Sequence, residues 1–298
     1  MSALPFRLID AFAETAFEGN SAGVVVDGDD LTDQQMQLIA REVNAAETAF
    51  VYQPDASGVR RLRWFTPTTE VDFCGRATLA AAENLRLDGH VQDGALTFDC
   101  RVGTLRLLLE ELGDDWIWFL EVPEPKLTRA GVGDAKVRTL LNLSDDALDP
   151  DLPPQQTSSD DLLVFVRSWQ TLQDLRPEAG RLHDWCDRHN LRGIFVSTRN
   201  TQSSDIHAAS RFFAPAAGVE EDPVTGSAHG PLAAALFAAD LAPRVGPQAA
   251  LNCVQGIPGG RTGLVRVLME QLDDRLKVQV AGRCHETIHG TIRVPTPR

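Results

Sequence analysis

The chain has no run approaching the roughly 18 to 20 uninterrupted apolar residues of a membrane span, so no transmembrane helix is expected. Residues 1–10 lack both a basic n-region and a long apolar stretch, and no secretory signal is expected there. Positive charge is scarce: 28 Lys and Arg stand against 42 Asp and Glu, a formal net charge of −14. Binding to nucleic acid needs clustered basic residues to neutralise phosphates, so that partner is not expected. The same scarcity argues against an anionic membrane surface. Cysteine is also sparse, with Cys74, Cys100, Cys186, Cys253 and Cys284 scattered and never in C-x-x-C. An odd, dispersed set does not build a disulfide framework, so a reducing, cytoplasmic location is expected. Phosphate loops are missing too. Gly19-Asn-Ser-Ala-Gly23 and Gly259-Gly-Arg-Thr-Gly263 match neither a Walker A nor a G-x-G-x-x-G pattern, and both read as turns beside strands.

What is present is an ordinary globular composition, 43% hydrophobic and 23% charged over 298 residues, long enough for two domains. Comparing the chain with itself gives those domains content. Trp64-Phe-Thr-Pro-Thr-Thr-Glu-Val-Asp-Phe-Cys-Gly-Arg-Ala-Thr-Leu-Ala and Phe212-Phe-Ala-Pro-Ala-Ala-Gly-Val-Glu-Glu-Asp-Pro-Val-Thr-Gly-Ser-Ala share one plan. Each has an aromatic strand end, an x-Pro turn, an acidic loop, a glycine and an alanine-rich run. The flanks match as well: strands at 47–52 and 59–64 face strands at 193–197 and 206–211, and strand 6–10 with helix 32–44 faces strand 162–166 with helix 178–190. Thr32 and Gln35 fit a capping box, with Met36, Ile39 and Val43 as the apolar stripe.

The fold class is therefore α+β, two pseudo-symmetric halves offset by about 150 residues, each with strands wrapped around one helix. The helices, 77–87 and 228–241, are apolar nearly all round and so must be enclosed. The N-terminal half is set at 1–125 plus a returning strand near 288–298, and the C-terminal half at 126–287. Acidic, Pro- and Ser-rich 145–161 reads as a long exposed loop. Both enclosed helices begin at a glycine, Gly75 and Gly226, and helix N-termini offer unpaired N–H groups and a positive dipole end. If the repeat axis lies between the halves, both ends face one cleft suited to a small anionic, carboxylate-bearing substrate.

Glu47 is the leading catalytic candidate, a carboxylate at the mouth of a buried strand whose counterpart junction, Asn190-Leu-Arg-Gly, has no acid. A partly buried carboxylate suits general acid–base work; the alternative is a surface glutamate at a strand edge. Asp222 either touches substrate or stabilises the second helix dipole. Ser227 is a helix N-cap or an oxyanion donor, and Cys74 is a candidate thiol activated by a helix N-terminus. Its counterpart is Thr225, so a two-thiol exchange is not available. His285-Glu-Thr-Ile-His289 has the letters of a zinc-hydrolase helix. Its surroundings alternate as strand, which would set the two His about 13 Å apart, too far for one metal.

Phe17-Glu-Gly-Asn-Ser-Ala-Gly-Val-Val, Asn44-Ala-Ala-Glu-Thr-Ala-Phe-Val, Arg63-Trp-Phe-Thr-Pro, Cys74-Gly-Arg-Ala-Thr-Leu-Ala and Glu221-Asp-Pro-Val-Thr-Gly-Ser-Ala resemble the PhzF family of phenazine-biosynthesis-like proteins. The resemblance implies a diaminopimelate-epimerase-like fold, a cofactor-free isomerase and a homodimer. The best-known member of that family shifts a proton on dihydro-hydroxyanthranilate. Carried over, Glu47 would be the acid/base, Gly75, Gly226 and Ser227 would bind a substrate carboxylate, and Asp222 would hold a polar substituent. The family usually reads Cys-Gly-His-Ala-Thr where this chain has Arg76. Arginine stays protonated and cannot relay a proton near neutral pH, but it can clamp a second carboxylate or phosphate. That departure implies a different, more anionic substrate.

Overall fold

A computed structural model describes residues 2–91, 93–113 and 115–296. Its first elements are β1 (Ala3–Ala11), β2 (Asn20–Val26), α1 (Asp33–Val43), β3 (Glu47–Pro54), β4 (Arg60–Phe65), β5 (Glu70–Val71), α2 (Gly75–Leu87), β6 (Ala95–Cys100), β7 (Gly103–Leu112) and β8 (Asp115–Val122). They belong to one unit, Met1–Glu121 with Ala281–Arg298. The second unit, Val122–Val280, continues with β9 (Leu127–Arg129), α3 (Asp134–Leu141), β10 (Gln155–Thr157), β11 (Asp161–Phe165), α4 (Trp169–Gln173) and α5 (Ala179–Arg188). Next come β12 (Gly193–Thr198), β13 (Ala208–Ala214), β14 (Val219–Asp222), α6 (Gly226–Ala238), β15 (Arg244–Val245), β16 (Gln248–Gly256), β17 (Thr262–Gln271) and β18 (Leu276–Gly282). The last strand, β19 (Cys284–Arg293), returns to the first unit, where it pairs with β1 from Ala11 opposite Cys284 to Ala3 opposite Arg293. That long ladder starts the return well ahead of the expected 288.

The two units repeat one pairing scheme. In the first, β1–β2 is antiparallel, β2–β3 parallel, β3–β4 antiparallel, β4–β6 parallel and β6–β7 antiparallel. In the second, β10–β11, β11–β12, β12–β13, β13–β16 and β16–β17 follow the same alternation. Short β5 folds back on β4 as β14 folds back on β13, and β19 flanks β1 as β9 flanks β10. The α+β repeat is thus a repeat of topology. Register then equates single residues: Thr48 lies opposite Phe65 and Ile194 opposite Phe213, making Thr48 and Ile194 equivalent.

One expected match shifts by a strand. The counterpart of β1 is β10, not the strand at 162–166, which takes the place of β2 because it runs parallel to its successor. β10 lies inside 145–161, so that segment is not a long exposed loop. Ala147, Leu148, Asp149, Leu152 and Thr157 are buried, and Leu148 bridges to Val166. Apolar residues among the acids anchor it to the core around Val164 and Leu182.

In each unit the strands cover one helix. α2 packs on β1, β2 and β3 and is buried from Gly75 to Leu85; α6 packs on β11, β16 and β17. Polar groups buried with α2 are paired, as burial demands: Glu83 accepts from Trp118 Nε1 at 3.0 Å and from Arg86, and Asn84 accepts from Arg7 at 2.9 Å. The Thr32/Gln35 capping box forms, with N–H to side-chain distances of 3.3 and 3.0 Å. His285 and His289 lie in β19, opposite Asp10 and Arg7, in the extended conformation read from their flanks. No helix among the described residues is long and apolar enough to cross a membrane.

Candidate active site

The head of α2 is the first place where chemistry collects. β3 begins at Glu47, beside Ala22 of the parallel β2, leaving its carboxylate half-buried near the helix start. Arg76, the second residue of α2, is buried and forms an ion pair with Glu47 through its NH2 group and Oε2. The arginine expected to clamp a ligand is therefore at least partly committed to the candidate base. Gly75 has no packing reason to be glycine. An added Cβ would meet Leu120 at 3.7 Å and Phe73 at 3.8 Å, ordinary contacts. Its first-turn N–H has no partner within the helix.

Cys74 caps α2, its Sγ accepting from the Ala77 N–H at 3.5 Å. The expectation of an activated thiol is not met. Complete burial, with the Glu47 charge next in effect, pushes its pKa up to about 12, overriding the helix dipole. A thiol in that state is protonated at neutral pH and is no proton acceptor.

The head of α6 is built differently. Its N-cap is Thr225, so Ser227 does not have the capping role; it is the second helical residue. The Thr225 hydroxyl donates to Asp222 Oδ2 at 2.6 Å, while buried Gln255 accepts the Thr225 N–H at 2.9 Å and donates to the Asp222 carbonyl at 2.8 Å. These bonds fix the orientation of the buried Asp222 carboxylate. Arg192 NH1 donates to Ser227 Oγ at 3.1 Å, and the same guanidinium grips Asp161 with Nε at 2.9 Å and NH2 at 2.5 Å. His229 is fully buried, with Nδ1 2.9 Å from the Thr225 carbonyl oxygen. Burial drives its pKa down to about 4, so it is neutral.

Register explains why the acid occurs once. Because Thr48 and Ile194 are equivalent, Glu47 corresponds to Gly193. A Cβ on Gly193 would lie 2.3 Å from the Phe213 carbonyl oxygen and 2.9 Å from Ala214 Cα. The second unit thus admits no side chain where the first carries its carboxylate. Gly193→Ala is expected to cost about 1–3 kcal/mol, because backbone on β13 must shift to relieve the overlap. Thermal denaturation checks this, and an unchanged midpoint would show that the strand ends give way freely.

The sequence profile described as Phenazine biosynthesis-like protein, PhzC-PhzF, matches residues 9–290. The chain belongs to the PhzF family. Relatives include uncharacterized isomerases of Clostridium acetobutylicum, 32% identical over 280 residues, and of Escherichia coli K12, named YddE, 33% identical over 279 residues; each alignment covers 92% of this chain and 93% of the relative. A Bacillus anthracis PhzF-family crystal structure superposes with a TM-score of 0.89 at 25% identity, over 99% of this chain and all of that one. A hydroxyproline epimerase from Agrobacterium vitis shares the fold alone, at a TM-score of 0.59 and 10% identity. As a PhzF-family protein with isomerase-named relatives, the chain is an isomerase.

Sequence reasoning missed Arg192, Asp161 and Gln255. The first stands in the very junction set opposite Glu47, one residue before Gly193, where a cation gives no sign of a counterpart to an acid. Gln255 lies on β16, 30 residues beyond Thr225, and carried no local signal.

Proposed function

We propose that this PhzF-family isomerase works without a cofactor and moves a proton on a small cyclic or aromatic-precursor carboxylate, with Glu47 as the single acid/base. The carrying observation is that the second unit has no acid at the position equivalent to Glu47. The equivalent position is Gly193, Cys74 is a protonated thiol, and its counterpart is Thr225. Inversion at a chiral carbon uses two opposed bases, so this inventory favours a proton shift by one group over racemisation. In the first unit the N–H at Gly75, and in the second the N–H at Gly226 with the Ser227 hydroxyl, would each offer an anion-binding end for a substrate carboxylate, with Asp222 orienting a polar substituent.

Arg76 narrows the substrate. It replaces the histidine usual in the family and already neutralises Glu47. A second anionic group on the substrate would share this guanidinium, which favours a compound more anionic than trans-2,3-dihydro-3-hydroxyanthranilate. A cytoplasmic homodimer is part of the proposal. The test is NMR in D2O of cyclic and aromatic carboxylates, trans-2,3-dihydro-3-hydroxyanthranilate included, with purified protein. Deuterium entering one carbon without inversion is the expected result. Turnover of the dihydro-hydroxyanthranilate at ordinary enzyme rates would overturn the substrate assignment. Tight carboxylate binding with no exchange would leave a binding protein, the reading favoured if the Glu47–Arg76 ion pair never opens.

A further inference from the structure

Asp161 and Arg192 form an ion pair that the fold does not require. Asp161 is fully buried and Arg192 about one-third exposed. In the first unit, which repeats the same pairing scheme, the equivalent positions are Ala22 and Ala46. Ala22 lies beside Glu47 in the parallel ladder as Asp161 lies beside Gly193, and Ala46 precedes Glu47 as Arg192 precedes Gly193. A sheet around a helix therefore forms here with alanine at both places. The charged pair has some other use.

The remaining contacts of Arg192 point to that use. Nε and NH2 take the two Asp161 oxygens, and the guanidinium lies 5.1 Å from the centre of the Phe212 ring. Fork and ring together fix its plane, and NH1 is thereby held against Ser227 Oγ at 3.1 Å. A hydroxyl that accepts from a guanidinium must send its own hydrogen to a different acceptor. Neutralising Asp161 would need only one point charge, which lysine supplies. Reaching Asp161 and Ser227 together needs the width of a guanidinium.

We infer that Arg192 is a positioning residue that turns the Ser227 hydroxyl into an oriented donor for the carboxylate of the substrate. Asp161 fixes the arginine, the arginine fixes the hydroxyl, and the hydroxyl adds one directed bond to the N–H groups of the first turn of α6. This rests on the proposed isomerase reading and specifies how the second unit selects a carboxylate.

The test is titration calorimetry with 3-hydroxyanthranilate and 2-aminophenol, aromatic probes that differ by the carboxylate alone. Wild type is expected to prefer 3-hydroxyanthranilate. Arg192→Lys, which keeps a charge beside Asp161, is expected to weaken that preference about tenfold with its melting temperature retained, as loss of one hydrogen bond to an anion predicts. Ser227→Ala should do the same, and the double variant should be no worse than Ser227→Ala. Should Arg192→Lys not fold, Asp161→Ala with Arg192→Ala copies the residues of the first unit and should fold with the preference weakened equally. A wild type without preference would overturn the carboxylate reading and this inference together. A wild-type preference that Arg192→Lys or the double-alanine variant retains, or that falls additively with Ser227→Ala, would overturn the inference alone.

Discussion

Glu47→Gln is expected to remove proton exchange while leaving carboxylate affinity undiminished. Glutamine keeps the shape and one acceptor oxygen for Arg76, but it cannot take up a proton at neutral pH. General acid–base catalysis by a placed side chain contributes about 10²- to 10⁴-fold, and with one base the loss should reach the top of that range. The ion pair sharpens the expectation for binding. In the wild type Glu47 is an anionic partner of Arg76; the neutral amide of the variant removes that negative charge, which strengthens the attraction for an anionic ligand. Affinity should hold or rise as turnover disappears. Parallel measurement of deuterium uptake by NMR and of binding by calorimetry separates the two effects. A variant with full exchange would remove Glu47 from the chemistry, and one that loses binding and exchange together would make Glu47 a binding group.

The repeat was legible because each half spells its central stretch locally: aromatic strand end, x-Pro turn, acidic loop, glycine, alanine run. The capping box was legible for the same reason, since Thr32 and Gln35 are three residues apart. Reach was the limit. β10 has only three residues, Gln155–Thr157, and too little periodicity to be recognised in an acidic, proline-bearing segment. Its presence follows from pairing to β9 and β11, which no local pattern encodes. Cys74 was misjudged because the position at a helix N-terminus is local, whereas the burial that keeps its proton on is not. Glu47 and Gly75 could be picked out singly; that Arg76 would spend itself on Glu47 required the meeting of β3 with α2.

Arg211→Met is expected to be the most destabilising replacement of a charged residue outside the candidate site, by about 3–5 kcal/mol, the cost of breaking a buried ion pair from one side. Arg211 on β13 and Arg63 on β4 are equivalents: they directly precede Phe212 and Trp64, which the repeat aligns. Each holds a glutamate with both edges of its fork, Glu221 at 2.7 and 2.8 Å and Glu70 at 2.7 and 2.8 Å. Each also stacks on the phenylalanine two residues later, at 4.8 Å on Phe213 and 5.1 Å on Phe65. The duplication gives an internal control, because the two arginines differ in what else they satisfy. Arg211 NH1 also donates to the carbonyls of Leu172 and Leu175 at 3.0 and 2.9 Å, so its loss strands buried acceptors as well as Glu221. Glu70, by contrast, keeps Arg101 at 2.5 Å when Arg63 is removed. Arg63→Met should therefore cost clearly less, about 1–2 kcal/mol. Arg211→Met combined with Glu221→Leu should recover only part of the loss, since the carbonyls around α4 stay unpaired. Urea denaturation of the three variants orders these contributions. Equal costs at 63 and 211 would mean that the α4 carbonyls find water when the arginine leaves, and that the pair alone holds each β-turn to its strand.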